Sequence, residues 1–306
     1  MSQALPADQP NQNYVKASPL AAGYLTLPER FFVTPSDPEA KRMVPSLAFV
    51  VTHPGNSSGF FKTSGKPFTL IFDLGLRRAA NRYIPPQQKH LETRAPYVVE
   101  PGVAAQLSSS GSSPADVDAV IISHVHYDHH GDPEDFPNAE FYVGSGALNV
   151  LAHGLGGIAS HQHFDPNLFA EGKGKELPPP TSAEWKPLGP FPAALDLFGD
   201  SSVYVIDTPG HLPGHVNLLC RIGPNKWAAF CGDAYHDIRL LTGEREIGTW
   251  NDELGRILCI HLDRPSAEAS IKRLRALNEL GNVELIAAHD DGWLAKNKAR
   301  MHPSVL

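Results

Sequence analysis

The chain reads Val117-Asp118-Ala119-Val120-Ile121-Ile122-Ser123-His124-Val125-His126-Tyr127-Asp128-His129-His130-Gly131-Asp132 where its histidines are densest. Residues 117–122 form a short, apolar, β-branched segment, which predicts a buried strand. The histidines therefore follow the carboxyl end of a strand, where sites in α/β proteins usually form. In an extended loop start, His124 and His126 point the same way, while Asp128 and His129 face a second point. Four ligands directed at two points indicate two metal ions.

One short segment cannot surround two ions, so further ligands must come from other loops. The loop Thr208-Pro209-Gly210-His211-Leu212-Pro213-Gly214-His215 follows a strand-like segment, and its glycines and prolines predict a tight turn. Asp233 ends the apolar run 227–232, and His289 ends the apolar run 283–288. Each candidate thus terminates a predicted strand.

In this order, the motifs resemble those of the metallo-β-lactamase superfamily, from about residue 46 to residue 289. The resemblance implies seven metal ligands, which are His124, His126, Asp128, His129, His215, Asp233 and His289. It implies that Asp233 bridges an ion held by His124, His126 and His215 to an ion held by the other three ligands. We interpret His211 as a residue that stabilises its loop.

Two parts of the chain repeat one pattern. A hairpin of segments 47–52 and 68–72 ends at Asp73, and His124 follows 51 residues later. A hairpin of segments 216–222 and 226–230 ends at Asp233, and His289 follows 56 residues later. Two copies of one unit predict an α/β protein, an αββα sandwich of two mixed sheets with outer helices, and the resemblance implies that this is the metallo-β-lactamase fold. We expect Asp73 to orient a metal ligand.

The chain length fits one domain over residues 1–306, which the resemblance implies is a metallo-β-lactamase-like hydrolase domain, with an N-terminal segment at 1–13 that is loose or wrapped on the surface. Helices are expected near 101–108, 144–152 and 266–280, the last with a proline start and a glycine stop. Three cysteines in apolar contexts, Cys220, Cys231 and Cys259, favour buried reduced thiols over disulfides.

A net charge of −7 without a basic run argues against nucleic acid or an anionic membrane as a partner. We therefore expect a small, neutral or weakly charged cyclic substrate. The sequence has no apolar run of membrane-spanning length and no signal-peptide pattern at its start, so a cytoplasmic location is expected.

Imidazole and carboxylate ligands without thiolate favour two Zn²⁺ ions, although Mn²⁺, Fe²⁺ or Co²⁺ would also accept such ligands. Two bridged ions would lower the pKa of a shared water towards ~7 and provide a hydroxide that attacks a carbonyl. The context 136–144 and the Leu-Pro-Gly before His215 look like the quorum-quenching lactonases and their fungal lactamase relatives. The resemblance therefore implies a hydrolase that opens a lactone or γ-lactam. A thioesterase, a mononuclear-iron sulfur oxygenase and a metal-binding remnant are the alternatives, and the presence of both Asp128 and His289 favours the dinuclear hydrolase.

In those lactonases, a tyrosine three residues beyond the bridging aspartate helps to bind the substrate carbonyl. Here Tyr235 lies two residues beyond Asp233 and His236 lies three beyond it. Both residues are catalytic candidates, together with the ligand Asp128.

Two long loops are candidates for the pocket wall. The loop 54–66 carries Phe60 and Phe61, and the connection 153–197 carries Phe164 and Trp185. We expect these aromatic residues to bind the substrate, with packing on the protein's own surface as the alternative. The run His161-Gln162-His163 with Asp165 imitates a second metal motif, but no strand leads into it, and a surface loop is favoured.

Overall fold

The structure is a computed structural model that describes residues 4–55, 57–63, 65–156, 159 and 162–306. The strands in this part of the chain are β1 (Lys16–Pro28), β2 (Val33–Thr34), β3 (Lys41–His53), β4 (Ser57–Ser58), β5 (Lys62–Thr63), β6 (Phe68–Phe72), β7 (Ala119–Ile122), β8 (Glu140–Val143), β9 (Gly174–Glu176), β10 (Lys186–Leu188), β11 (Phe191–Asp196), β12 (Val203–Asp207), β13 (Val216–Gly223), β14 (Lys226–Phe230), β15 (Glu246–Ile247), β16 (Thr249–Asn251), β17 (Ile257–Cys259) and β18 (Val283–Ile286).

The α-helices are α1 (Pro85–Glu92), α2 (Val103–Ser109), α3 (Ala147–His153), α4 (Ile238–Thr242), α5 (Arg264–Asn278) and α6 (Asp291–Asn297). The three predicted helices correspond to α2, α3 and α5, with boundaries shifted by a few residues. At the start of α5, the Asp263 carboxylate accepts a hydrogen bond from the Ser266 N–H, which caps a helix with proline in its first turn.

Two six-stranded mixed sheets form the centre of the molecule. The first has the order β1-β3-β6-β7-β8-β9, and the second has the order β10-β11-β12-β13-β14-β18. Successive side chains on a strand face opposite sides, so Phe49 of β3 packs between the sheets while its neighbour Val50 packs outward. The ring of Phe49 stacks on Phe230 of the second sheet with centroids 3.8 Å apart. Helices α2 and α3 cover the outer face of the first sheet, and α5 covers that of the second. The expected αββα sandwich is confirmed.

The predicted internal repeat is confirmed by the strand pairing. In the first sheet, β3 and β6 form an antiparallel pair, and β7 then joins β6 in parallel. In the second sheet, β13 and β14 form the antiparallel pair, and β18 joins β14 in parallel. Asp73 and Asp233 follow equivalent strands, β6 and β14, and the loops after β7 and β18 bring their histidines to the same edge.

Backbone hydrogen bonds join the two sheets at this edge. The Val216 N–H donates to the Ser123 carbonyl over 2.9 Å, and the Leu47 N–H donates to the Ala288 carbonyl over 2.9 Å. The loops that carry the histidines are therefore held against one another by the fold itself.

The segment before β1 is bound to the second sheet. The buried guanidinium of Arg221 forms an ion pair with Asp8 and donates to the Pro6 carbonyl over 2.9 Å. Gln12 donates to the Asp200 carbonyl over 2.8 Å. The part of 1–13 that the structure describes is thus anchored, which agrees with a segment wrapped on the surface and not with a loose one.

Candidate metal centre

Three buried imidazoles and one carboxylate form the first ligand group. His124 Nε2 lies 2.9 Å from His126 Nδ1, and His211 Nε2 lies 3.2 Å and 3.0 Å from these two atoms. Asp233 Oδ2 lies 3.7 Å from His124 Nε2 and 3.5 Å from His211 Nε2. A neutral imidazole carries one N–H, so three ring nitrogens in such a triangle direct lone pairs towards a common point.

The second ligand group lies on the other side of Asp233. The Asp233 Oδ1 atom is 3.2 Å from His129 Nε2 and 3.3 Å from His289 Nε2. His289 Nε2 is also 3.6 Å from Asp128 Oδ2. The two oxygens of one carboxylate thus face two separate groups of ligands.

The histidines of the second group are oriented by acceptors behind them. Asp73 Oδ2 lies 2.8 Å from His129 Nδ1, and its carboxylate also accepts from the backbone and the hydroxyl of Ser123. The Pro45 carbonyl accepts from His289 Nδ1 over 2.8 Å. Such contacts select the tautomer that leaves Nε2 free for a metal. The prediction that Asp73 orients a ligand is confirmed, and its φ of 61° places this non-glycine residue in the left-handed region.

The electrostatics of the first ligand group favour cation binding. Burial and the neighbouring imidazoles hold the pKa values of His124 and His211 well below the ordinary value. Burial opposes the charge of Asp233, but the surrounding imidazoles, His129 first, outweigh this effect and keep the pKa of the carboxyl well below its ordinary value. Neutral imidazoles and an ionised carboxylate are the states that bind a metal.

The prediction that His215 joins the first group is wrong. Both of its ring nitrogens are used elsewhere: Nδ1 contacts the Thr208 carbonyl and hydroxyl over 3.1 and 3.0 Å, and Nε2 accepts from the Asp233 N–H over 3.1 Å. His211, which was interpreted as a loop residue, occupies the ligand position instead. His215 supports the loop and the backbone of Asp233.

A cavity of about 600 Å³ opens over the two groups. Its floor includes His126, Asp128, His211, Asp233 and His289. Its walls come from three segments that were not predicted, and they comprise Leu27, Pro28, Arg30, Phe31, Phe32, Glu39, Lys41, His90, Thr93, Arg94, Trp250, Leu258 and Ile260. Apart from the paired aromatic residues Phe31 and Phe32, no periodicity or motif in the sequence distinguishes the residues that line the cavity walls.

His236 lines this cavity, whereas Tyr235 does not. His236 Nε2 lies 3.0 Å from Asp233 Oδ2, and its ring lies 4.8 Å from that of Phe32. Tyr235 points into the core behind the site, where burial, followed by the nearby Cys231, raises its pKa well above the ordinary value. The structure therefore contradicts Tyr235 as a candidate and retains His236.

The predicted aromatic wall of the loop 54–66 is wrong. Phe61 is buried between the sheets and packs on Phe68 and Phe198, with ring centroids 4.9 and 5.8 Å apart. Phe60 packs edge-on against Tyr142 at 5.4 Å. The main chain explains this placement, because Phe61 N–H donates to the Leu197 carbonyl over 2.8 Å and holds the loop on the second sheet.

The aromatics of the connection 153–197 are also outside the cavity wall. Phe164 stacks on the ring of His126 at 6.0 Å but belongs to the core beneath α3. Trp185 donates from Nε1 to the Pro178 carbonyl over 2.8 Å and lines a separate cavity of about 220 Å³ beside His215. His161 lies outside the described residues.

The donor set fits divalent metal ions. Nitrogens bound to one Zn²⁺ at about 2.0–2.1 Å in a tetrahedron lie about 3.3–3.4 Å apart, close to the spacing in the first group. Thiolates are absent from both groups, and oxygen and imidazole donors suit zinc and other first-row divalent ions.

Within the described residues, no helix combines the length and the apolar character needed to cross a membrane.

Comparisons with known proteins agree with this centre. The chain is 32% identical over 206 residues to Gamma-lactamase FDB1 of Fusarium pseudograminearum (strain CS3096), covering 62% of this chain and 45% of that protein. It is 30% identical over 203 residues to N-acyl homoserine lactonase AttM of Rhizobium radiobacter, covering 65% and 68%. It is 28% identical over 242 residues to Cytochrome P450 monooxygenase mpaDE of Penicillium roqueforti (strain FM164), covering 72% and 28%. The chain thus spans less than half the length of two of these relatives.

The fold is also similar to that of a solved lactonase structure. The crystal structure of a quorum-quenching N-acyl homoserine lactone lactonase superposes with a TM-score of 0.67 at 17% identity, covering 99% of this chain and all of the other. The model of the Metallo-beta-lactamase superfamily matches residues 68–289, well over half of the 306 residues, and this range includes both ligand groups. The chain therefore belongs to the metallo-β-lactamase superfamily.

Proposed function

We propose that this protein is a dinuclear zinc hydrolase that opens a small cyclic ester or amide, a lactone or γ-lactam. The observation that carries the proposal is the position of Asp233, whose Oδ2 faces His124 and His211 while its Oδ1 faces His129 and His289. A bridging carboxylate between two groups of nitrogen ligands suits two ions about 3.5–4 Å apart.

His124, His126 and His211 would hold one ion, and Asp128, His129 and His289 the other. When bound, two such ions activate a water as nucleophile and polarise a carbonyl oxygen. The protein's part is to keep the imidazoles of His124 and His211 neutral by burial, which holds their pKa values low, and to aim His129 and His289 through Asp73 and the Pro45 carbonyl. A mononuclear-iron oxygenase would leave the second group without a role.

His236 is the residue that binds the reacting carbonyl in this proposal. It lines the cavity directly above Asp233, and its ring packs beside Phe32. The Nε2–H of His236, which lies 3.0 Å from Asp233 Oδ2, would donate to the carbonyl oxygen as negative charge develops on it and so lower the barrier of the addition step. It takes the position, three residues beyond the bridging aspartate, that a tyrosine holds in the lactonases.

The walls of the cavity support a small ring with an apolar part. Phe31 and Trp250 pack with ring centroids 4.5 Å apart at one side, and Leu258 and Ile260 lie nearby. Arg30, Lys41 and Arg94 also line the cavity, so a weak negative charge on the substrate or product is tolerated. Lactams and lactones are proposed as substrates because the chain is similar to a γ-lactamase and to an N-acyl homoserine lactonase. Neither nucleic acid nor a membrane is proposed as a partner. A cytoplasmic location also stays a prediction.

Metal analysis with a substrate panel tests the proposal. Purified wild type should hold at least two divalent ions per chain and hydrolyse some members of a panel of lactones, γ-lactams and thioesters. Asp233→Ala should lose metal and turnover together because it removes the bridging ligand. Asp116→Ala, which removes an exposed carboxylate elsewhere, serves as the matched control. Wild type that saturates at one ion, or Asp233→Ala with unchanged metal content, would contradict the dinuclear centre.

A further inference from the structure

Three cationic side chains line the cavity over the metal centre, and we call them the cationic rim. They belong to Arg30, Lys41 and Arg94. The chain as a whole has a net charge of −7, so this concentration of positive charge runs against the overall balance. Apart from the metal ligands, Glu39 is the carboxylate that lines the same cavity, and it offsets only part of the positive charge. The walls are therefore more suited to an anion than the rest of the surface.

The main chain brings the three side chains together at the end of β1. Pro28 of β1 pairs with Lys41, the first residue of β3. Along the other edge of β1, the Thr26 N–H donates to the Arg94 carbonyl over 3.0 Å. Arg30 follows directly after β1, two residues beyond Pro28. Backbone contacts between distant segments thus build the cationic rim into the fold.

The guanidinium of Arg94 is half-buried and has no carboxylate partner within the described part of the chain. Its Nη2 atom lies 3.4 Å from His90 Nε2, and the guanidinium donates to the Tyr127 side chain. The buried guanidiniums of Arg77 and Arg221, by contrast, form ion pairs with carboxylates. A cation that is partly removed from water without a counter-ion is unfavourable. An anion that enters the cavity would therefore stabilise Arg94.

An aromatic surface lies beside the outer part of the cationic rim. The Arg30 guanidinium carbon lies 4.9 Å from the centroid of the Phe31 ring, and that ring packs on Trp250 at 4.5 Å. Arg30 donates to the Pro38 carbonyl over 2.7 Å, which leaves further N–H groups of its guanidinium for a ligand. Neither Arg30 nor Lys41 forms an ion pair with any of the described carboxylates. An aromatic group of a substrate on this surface would hold its own anionic substituent beside the rim.

We propose that the substrate carries a carboxylate or another oxyacid anion, apart from the ring that opens, and that the cationic rim binds this anion. The inference rests on the proposed function, because it assigns a second part of the same substrate. A guanidinium binds a carboxylate through two parallel N–H donors, which orients the substrate as well as attracting it. The anion lies at the cationic rim while the scissile carbonyl lies over Asp233.

The test uses two lactones of the same shape that differ in charge. They are γ-(4-carboxyphenyl)-γ-butyrolactone and its neutral 4-carbamoylphenyl isostere. Wild type should hydrolyse the carboxylate with a kcat/KM about tenfold higher, mainly through a lower KM, because charge-assisted hydrogen bonds hold the anion. Raising NaCl from about 20 mM to about 500 mM should reduce this preference, since salt screens exposed charges.

Variants assign the preference to the cationic rim. The triple variant Arg30→Gln, Lys41→Gln, Arg94→Gln should hydrolyse the two lactones with equal kcat/KM, and each single variant should show an intermediate preference. Lys41→Arg keeps the charge and should keep the preference. Lys272→Gln removes an exposed charge from α5, outside the cavity, and should match wild type.

Equal kcat/KM for the two lactones in wild type would overturn the inference and leave the dinuclear hydrolase intact. A preference that persists in the triple variant would also overturn it, because the carboxylate would then be bound by the metal centre or another group. If wild type cleaves neither lactone nor any member of the panel, the proposed function fails, and calorimetric binding of the two lactones decides the inference. Tighter binding of the carboxylate to wild type than to the triple variant would support the cationic rim, and equal binding would refute it.

Discussion

Two histidines four residues apart in the loop 208–215 face opposite ways. His211 turns its Nε2 atom towards His124 and His126, whereas His215 turns back to Thr208 and the Asp233 N–H. Gly210 makes this path possible at φ +131°, because a Cβ there would lie 2.2 Å from the Ala267 nitrogen of α5. The comparison teaches that a motif supplies candidate ligands, while the hydrogen bonds already made by each ring decide which of them has a nitrogen free for a metal.

The largest expected effect separates these two histidines. His211→Ala should lose the ion of the first group and lower kcat/KM by about 10³ or more, because a Lewis acid stabilises the transition state by several kcal/mol. His215→Ala should retain metal and lose about 1–3 kcal/mol of stability, since the buried Asp233 N–H loses its acceptor. Metal analysis, steady-state kinetics and chemical denaturation of the two variants measure these effects. Metal loss only in His215→Ala would reverse the assignment.

A second contrast separates the adjacent residues His236 and Tyr235. His236→Phe keeps an aromatic ring beside Phe32 and removes the hydrogen-bond donor. We therefore expect kcat to fall by ~10² while the ions of the first and second ligand groups are retained. Tyr235→Phe should leave kcat near the wild-type value because the hydroxyl points into the core. Steady-state kinetics on the best substrate of the panel decides between them. A large loss in Tyr235→Phe alone would show that the tyrosine reaches the substrate.

The third contrast uses two Phe-Phe pairs, 31–32 and 60–61. Phe31→Ala should raise KM by about tenfold, because a partly buried ring contributes roughly 1.5 kcal/mol of apolar contact, and kcat should change less. Phe61→Ala should leave KM unchanged and lower the free energy of unfolding by about 3 kcal/mol, as for other buried rings. A KM effect in Phe61→Ala, without one in Phe31→Ala, would move the pocket wall to the loop 54–66.

The smallest effect contrasts two carboxylates near the same loop. Imidazoles lower the pKa of Asp233, whereas burial, only partly offset by Arg273, raises that of Asp207 to about 6. The folded state therefore binds the proton of Asp207 more tightly than the unfolded state. Its contribution to stability is present below about pH 4 and is lost as pH rises through about 6. Asp207→Asn should make the free energy of unfolding depend less on pH between about 4 and 6. Chemical denaturation at several pH values measures this dependence. If the variant keeps the wild-type pH dependence, Asp207 is excluded as its cause.

Much of the fold was predictable because its signals are local. Apolar runs of four to eight residues predicted the strands β3, β6, β7, β13, β14 and β18. The repeated hairpin predicted their pairing, and the loop 123–132 predicted both ligand groups. Asp73 was recognised because it ends a strand in the position equivalent to Asp233.

The pocket was not predictable in this way. Its walls come from residues 27–41, from α1 and from residues 250–260, which are far apart in the chain and meet only above the metal centre. The pairs Phe31-Phe32 and Phe60-Phe61 look alike in sequence, yet the first lines the cavity and the second fills the space between the sheets. Burial of an aromatic side chain depends on what packs against it, which no local pattern encodes.

The sequence by itself determined the family, the two sheets and six of the seven metal-ligand candidates, because strand patterns and ligand types are properties of short segments. Only the tertiary structure decided between His211 and His215, between His236 and Tyr235, and between the two phenylalanine pairs. These choices depend on the direction of a side chain within a few ångströms. That direction is set by contacts with distant residues, such as α5 against Gly210 and the second sheet against the loop 54–66.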